Sequence, residues 1–107
     1  MKHVLIEIKN LIQDPSNWTQ GTHARNKKGF AVEPTDPDAC QWCLDGALAK
    51  VTNIDNLEYQ QVNDLLRAST RELYALSNFV EVNDEGSHHQ VLAILDHAIG
   101  LPNAKAA

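Results

Sequence analysis

Asp36-Pro37-Asp38-Ala39-Cys40-Gln41-Trp42-Cys43-Leu44-Asp45-Gly46-Ala47-Leu48-Ala49-Lys50-Val51 is the stretch on which the reading of this chain turns. It carries both cysteines, one of the two tryptophans and the densest run of apolar side chains. Its start has the chemistry of a helix N-terminus. Asp36 offers a carboxylate to orphan N–H groups, Pro37 lacks the N–H that a first turn leaves unpaired, and Asp38 suits the positive end of a helix dipole. On a helical wheel Cys40, Cys43, Leu44, Ala47, Leu48 and Val51 share one face, and Ala39, Trp42, Gly46 and Ala49 form a second. Only Gln41, Asp45 and Lys50 are clearly polar. A helix apolar on most sides is a buried one, so this stretch is expected to be the central helix, second in chain order. Gly46 inside it costs about 1 kcal/mol relative to alanine. The expected return is the close approach of another backbone.

Towards the N-terminus, residues 2–13 read as a helix. Val4, Ile8, Leu11 and Ile12 repeat at helical spacing with Leu5 beside them, and Asp14-Pro15 ends the run because the residue before proline is pushed out of the helical region. Between that helix and the central one lie two short runs, Trp18–Ala24 and Gly29–Val32, rich in β-branched and aromatic residues, with a turn at Arg25–Gly29. They predict a short β-hairpin or extended arm near residues 18–33. Beyond Val51, Thr52–Asn56 is a loop. Leu57 to about Leu76 is helical, in two pieces broken near Ser69-Thr70, with Leu57, Val62, Leu65, Leu66, Leu73, Leu76 and Phe79 facing the core. Asn83–Gly86 reads as a turn. Ser87 with Gln90 matches a capping box and opens a last helix from about His88 to Ile99, which Gly100 and Pro102 stop. The fold class is therefore mainly α: four to five helices around the central buried helix, with the arm beside them. The expected organisation is one domain over residues 1–107, with 103–107 a frayed tail.

The totals fit that reading. A chain of 107 residues can bury one core without staples. Hydrophobic content of 43% with 21% charged residues is ordinary for a globular protein and excludes wholesale disorder. A net charge of −5 argues against a nucleic-acid partner, which wants a clustered basic surface. The one local basic run, His23, Arg25, Lys27 and Lys28, reads as a solvated turn. Glu7 and Lys9 interrupt the first apolar run before it reaches the length of a signal peptide, and no stretch approaches the roughly 18 apolar residues of a membrane span. The expected location is the cytoplasm, with no membrane partner, no cofactor and no metal. The partner is a protein or small molecule that the sequence does not identify, and the oligomeric state is not written there either.

Chemistry concentrates at a few side chains. His88 falls on the inward stripe of the last helix near its N-terminus, and Cys43 on the inward stripe of the central helix. If those helices pack together, Cys43, His88 and the upstream Asp84 supply the nucleophile, base and orienting acid of thiol catalysis. The plainer reading is a buried cysteine acting as a small hydrophobe and a rim histidine holding one hydrogen bond. Cys43 would also sit about a turn and a half into its helix, where dipole activation has faded. Cys40 and Cys43 form a C-x-x-C, the spacing of a redox couple or half a zinc site. The flanking aspartates disfavour thiolates, however, and His88 and His89, the remaining zinc ligands, would point about 100° apart on a helix. Trp18 and Trp42 read first as packing residues. Trp18, Gly21, His23 and Trp42 are the candidate binding residues, because a tryptophan among Thr19, Gln20 and His23 can line a small groove.

Trp18-Thr19-Gln20-Gly21, then Ala24-Arg25, then Asp36-Pro37 leading into Trp42-Cys43-x-x-Gly46-Ala47-Leu48, then Asn83-Asp84-x-x-Ser87-His88-x-x-Val91, resembles a family of short uncharacterised bacterial and phage proteins. The likeness runs from about Leu5 to Ile99. It implies that Trp18, Gly21, Cys43, Gly46, Asp84 and His88 occupy motif positions. Cys40 lies outside the motif, which weakens the redox and zinc readings, since both need it. Ser87 stands where the family pattern has threonine, and either serves as an N-cap. The family brings no activity with it. Two functions of different class follow: a binding or accessory domain working through the arm and the ends of the central and last helices, and a thiol-dependent hydrolase or transferase built on Cys43, His88 and Asp84.

Overall fold

The computed structural model describes residues 1–53 and 55–102. The tail expected to fray, 103–107, lies outside them. Among the described residues the chain forms five α-helices and one small antiparallel sheet: α1 Lys2–Ile12, β1 Ala24–Arg25, β2 Gln41–Trp42, α2 Leu44–Val51, α3 Leu57–Tyr74, α4 Phe79–Glu85 and α5 His88–Ile99. A single 3-10 turn at Pro15–Asn17 follows α1, with the Asp14 side chain accepting from the Ser16 N–H. The mainly α class with a small β element is as the sequence predicts.

The core is one apolar cluster. Leu5, Ile8 and Ile12 of α1, Leu44, Ala47 and Leu48 of α2, Val62 and Leu66 of α3 and Val91, Ile94 and Leu95 of α5 are all fully buried. Helix α5 packs on α1, α3 and α4, while α2 packs on α1, α3 and α4. Leu5, Ile8 and Ile12 lie on the stripe that the helical spacing marks out for α1; on α5 the spacing predicts Val91, Leu92, Leu95 and Ile99, whereas Val91, Ile94, Leu95 and Ala98 are buried and Leu92 and Ile99 only partly so. The last helix begins where its sequence says: Ser87 is the N-cap, and both halves of the capping box with Gln90 are formed.

Three expectations are corrected. The central helix begins at Leu44, not near Asp36. Asp36 instead closes a turn, accepting from Asp38 N–H on its side chain and from Ala39 N–H on its backbone carbonyl. The residues that follow extend into β2, whose backbone is needed by the arm, and that pairing overrides the helical start chemistry. Cys40 and Cys43 therefore flank a strand and do not share a helical face. Second, α3 runs unbroken through Ser69 and Thr70. Thr70 donates its hydroxyl to Leu66 O at 2.7 Å, so its polar group is satisfied inside the helix. Third, residues 79–85 are a helix capped by Asn78, not a core run followed by a turn. Of the residues assigned to the core face, Leu57, Leu73 and Leu76 are exposed. Leu57 opens α3, and Ala75, in left-handed conformation at φ 58°, ends it and turns the chain before Leu76 can join the core.

The arm is half a hairpin. Val32 N–H bonds Ala24 O and Asn26 N–H bonds Phe30 O, closing the turn around Gly29. The ordered partner of β1 is nevertheless β2, with Ala24 opposite Trp42 and Arg25 opposite Gln41. Trp42 also bridges to Trp18 in parallel, so β2 is bracketed on both sides. This bracketing brings the arm onto the N-terminus of α2.

Candidate functional site

Two clusters meet at the start of α2. The first is a polar knot centred on Asn83, a residue only 1% exposed. Its side-chain oxygen accepts from Trp18 Nε1 at 2.7 Å and from Leu44 N–H at 3.0 Å. Its side-chain nitrogen donates to Thr19 O and to Asp84 Oδ1, each at 3.1 Å. Two N–H donors on one side and two acceptors on the other fix which way the amide faces. Asp84 Oδ1 also accepts from Gly21 N–H at 3.0 Å. Gln20 donates to the carbonyls of Asn83 and Gly86 at the end of α4. Asn83 thus caps α2, while Gln20 satisfies carbonyls that the end of α4 leaves open.

Cys43 belongs to this knot. It is the N-cap of α2, and its Sγ accepts from Gly46 N–H at 3.2 Å. Burial, then the nearby Asp45 and Asp84 carboxylates, push the thiol up from 9.0 to about 11 despite hydrogen bonds that pull the other way. His88 lies across the knot. Its Nε2 is 2.7 Å from Ile12 O, a carbonyl acceptor at the end of α1, so Nε2 carries the proton in that bond. Its ring stands 5.3 Å from the Trp18 ring at 55°. Among the described residues, Cys43 and His88 share no hydrogen bond. Asp84 is bonded to Gly21 and Asn83.

The second cluster starts from Gly46. A Cβ at this position would lie 1.9 Å from His23 O and 2.7 Å from His23 C. The backbone of His23 is therefore pressed onto the first turn of α2, where His23 O also accepts Cys43 N–H at 3.1 Å. This is the close backbone approach that Gly46 predicts. The His23 imidazole is consequently placed over Asp45, with Nε2 3.1 Å from Oδ2. Tyr59 of α3 comes from the other side, its hydroxyl 3.5 Å from Asp45 Oδ1. Burial, and after it the Asp45 carboxylate, raises the Tyr59 phenol above its ordinary 10.0. Together with Glu33, Pro34, Thr35, Ala49, Thr52 and Asn53, these three side chains line an open cleft of about 480 Å³ between the arm, α2 and α3. That volume lies within the range of small-ligand sites.

Of the four candidate binding residues, His23 lines this cleft. Trp18 and Gly21 are held in the Asn83 knot, and Trp42 is buried with its Nε1 donating to Pro34 O at 3.0 Å. Asp45 and Tyr59 have no site role in the sequence reading, and Asn83 enters it only in a turn and in the family motif. Asp45 had one available signal, as a lone acid in the most apolar stretch of the chain. Tyr59 had none, because only tertiary packing brings it to a residue 14 positions away. Among the described residues no group of three or more His, Cys, Asp or Glu side chains is arranged to hold a metal ion.

A family model described as "Family of unknown function (DUF6197)" matches residues 1–101. The chain belongs to this family. No curated protein and no solved structure matches it. The residues that carry the family resemblance in the sequence converge in space. Trp18, Gly21, Cys43, Asp84 and His88 gather around the Asn83 knot, and Gly46 sits one turn into α2 against His23. Their contacts hold the arm onto the helices, and the cleft opens beside them.

Proposed function

We propose that this protein is a small binding domain of the cytoplasm, and that the cleft between the arm, α2 and α3 receives its ligand. One observation carries the reading: the absence of a side chain at Gly46 lets the His23 backbone seat on α2, which sets the imidazole over Asp45 at the floor of a part-apolar cleft. Helix propensity disfavours glycine at this position by about 1 kcal/mol. The geometry gained is a polar pair fixed in an accessible concave surface, the usual form of a recognition site. Free Cys40 and Cys43 and the acidic balance of the chain fit a reducing aqueous compartment. No described helix is long and apolar enough to cross a membrane.

The test is a fragment screen against uniformly labelled protein, read by amide chemical shifts. Binders should move the signals of His23, Asp45, Ala49, Thr52 and Tyr59 as a group. Fragments that bind only elsewhere, for instance along the exposed Leu57 or Phe30, would refute the assignment of the cleft.

A further inference from the structure

The cleft has a chemical bias that narrows its ligand. Among the described residues its charged lining is Asp45 and Glu33, with His23 the one titratable base, and no lysine or arginine. The nearest arginine of the arm, Arg25, is turned away: it donates to Thr19 Oγ1, Gly29 O and Gln20 O. The remaining polar lining, Thr35, Thr52 and Asn53, can accept hydrogen bonds, and the Thr52 hydroxyl proton is already committed to Leu48 O at 2.7 Å. The walls from Pro34, Ala49 and the Tyr59 ring are apolar.

One contact on the floor is loose. Tyr59 hydroxyl and Asp45 Oδ1 stand 3.5 Å apart, whereas a close O–H···O bond spans about 2.7–2.8 Å. Both residues line the cleft, and a donor that reaches the two oxygens can engage each at better geometry. His23 holds the other carboxylate oxygen and so keeps Asp45 oriented without occupying Oδ1.

Resting on the reading that this cleft is the ligand site, we infer that it takes a guanidinium group, that of free arginine or of an arginine side chain in a polypeptide. A guanidinium carries a fixed positive charge and five N–H donors in a planar fork, enough to engage Asp45 Oδ1 and the Tyr59 oxygen together, with the Glu33 carboxylate adding negative charge to the same lining. An ammonium, with three donors on one centre, matches spread acceptors less well. The arginine methylenes lie against Pro34, Ala49 and the Tyr59 ring. The net charge of −5 favours the approach of such a cation.

The experiment is an amide-shift titration with three capped tripeptides carrying arginine, citrulline or lysine at the centre. Citrulline keeps the shape of arginine and removes its charge. The arginine peptide should move the signals of Asp45, Ala49, Thr52 and Tyr59, with affinity at least about tenfold above that of citrulline, the ratio that corresponds to about 1.4 kcal/mol. Free arginine amide in a fourth titration distinguishes the two sources: binding weaker than the peptide's assigns the site to a polypeptide, and equal binding assigns it to the free amino acid. Asp45→Asn, nearly isosteric, should abolish the preference for arginine over citrulline. Should that variant not fold, Glu33→Gln at the exposed rim should reduce the preference at least about threefold, or about 0.7 kcal/mol.

Equal affinity for arginine and citrulline peptides, or an arginine response confined to other surfaces, overturns the inference. If the cleft responds in the fragment screen but to none of the cationic peptides, the guanidinium assignment fails while the cleft stands. If neither set moves the cleft signals, both fail.

Discussion

Gly46→Ala is the sharpest perturbation the structure offers. On most helices this change stabilises by up to about 1 kcal/mol through helix propensity. Here the new methyl group would stand 1.9 Å from His23 O and 2.7 Å from His23 C, while ordinary contact begins near 3.4 Å. The two backbones must part by about 1.5 Å, the difference between those distances. Neither neighbour is a flexible side-chain end. The separation breaks the bond from Cys43 N–H to His23 O and leaves a donor unpaired at a buried residue. An unpaired buried donor costs about 1–3 kcal/mol and overpacking about 1–3 kcal/mol, so after the propensity gain the net loss is about 1–5 kcal/mol. For a domain of this size that lowers the melting temperature by roughly 5–30 °C. The assay is thermal unfolding followed by far-ultraviolet circular dichroism. Gly29→Ala is the control, because nothing lies within 4 Å of its added Cβ and only the left-handed backbone at φ +84° opposes it. That control should lose about 1 kcal/mol. A Gly46→Ala protein that melts at or above the wild-type temperature refutes the close approach and, with it, the placement of His23 over Asp45.

Other consequences can be checked on the same material. Asn83→Ala strands the Trp18 indole N–H and the Leu44 amide beside a buried gap, so a loss of about 3 kcal/mol or more is expected in urea unfolding, with a red shift of tryptophan fluorescence as Trp18 loosens. The Cys43 thiol keeps its proton in the folded state up to about pH 11, whereas in the unfolded chain it titrates near 9.0. The folded state therefore binds the extra proton between those values, and stability falls as pH rises through that window, by roughly 2–3 kcal/mol in full. Cys43→Ser should flatten that fall. At neutral pH, iodoacetamide should modify the partly exposed Cys40 well before Cys43, as mass spectrometry of digested protein will show. Rapid alkylation of native Cys43 would contradict its burial and favour the thiol-dependent reading.

The periodic parts of the fold were legible in the chain. Val4, Leu5, Ile8 and Ile12 mark α1, and Val91 and Leu95 behind the Ser87–Gln90 box mark α5, because a 3.6-residue repeat and a cap are local properties. The site was less legible. Gly46 announced a close approach without naming the backbone that makes it. His23 was singled out, yet its partner Asp45 lies 22 residues away and Tyr59 still further.

What the sequence determined by itself was the class of the fold, the inward face of its first helix, the capped start of its last, and the need for contact at Gly46. Only tertiary structure decided where α2 begins. Asp36, Pro37 and Asp38 have the right chemistry for a helix start, worth about a kilocalorie per mole in isolation. Drawing residues 41 and 42 into a strand gives Trp42 pairing partners on both sides and hands the capping of α2 to Cys43 and Asn83. Those bonds join residues up to 39 positions apart. Their gain exists only once the arm, α2 and α4 are assembled, and no window of sequence contains it.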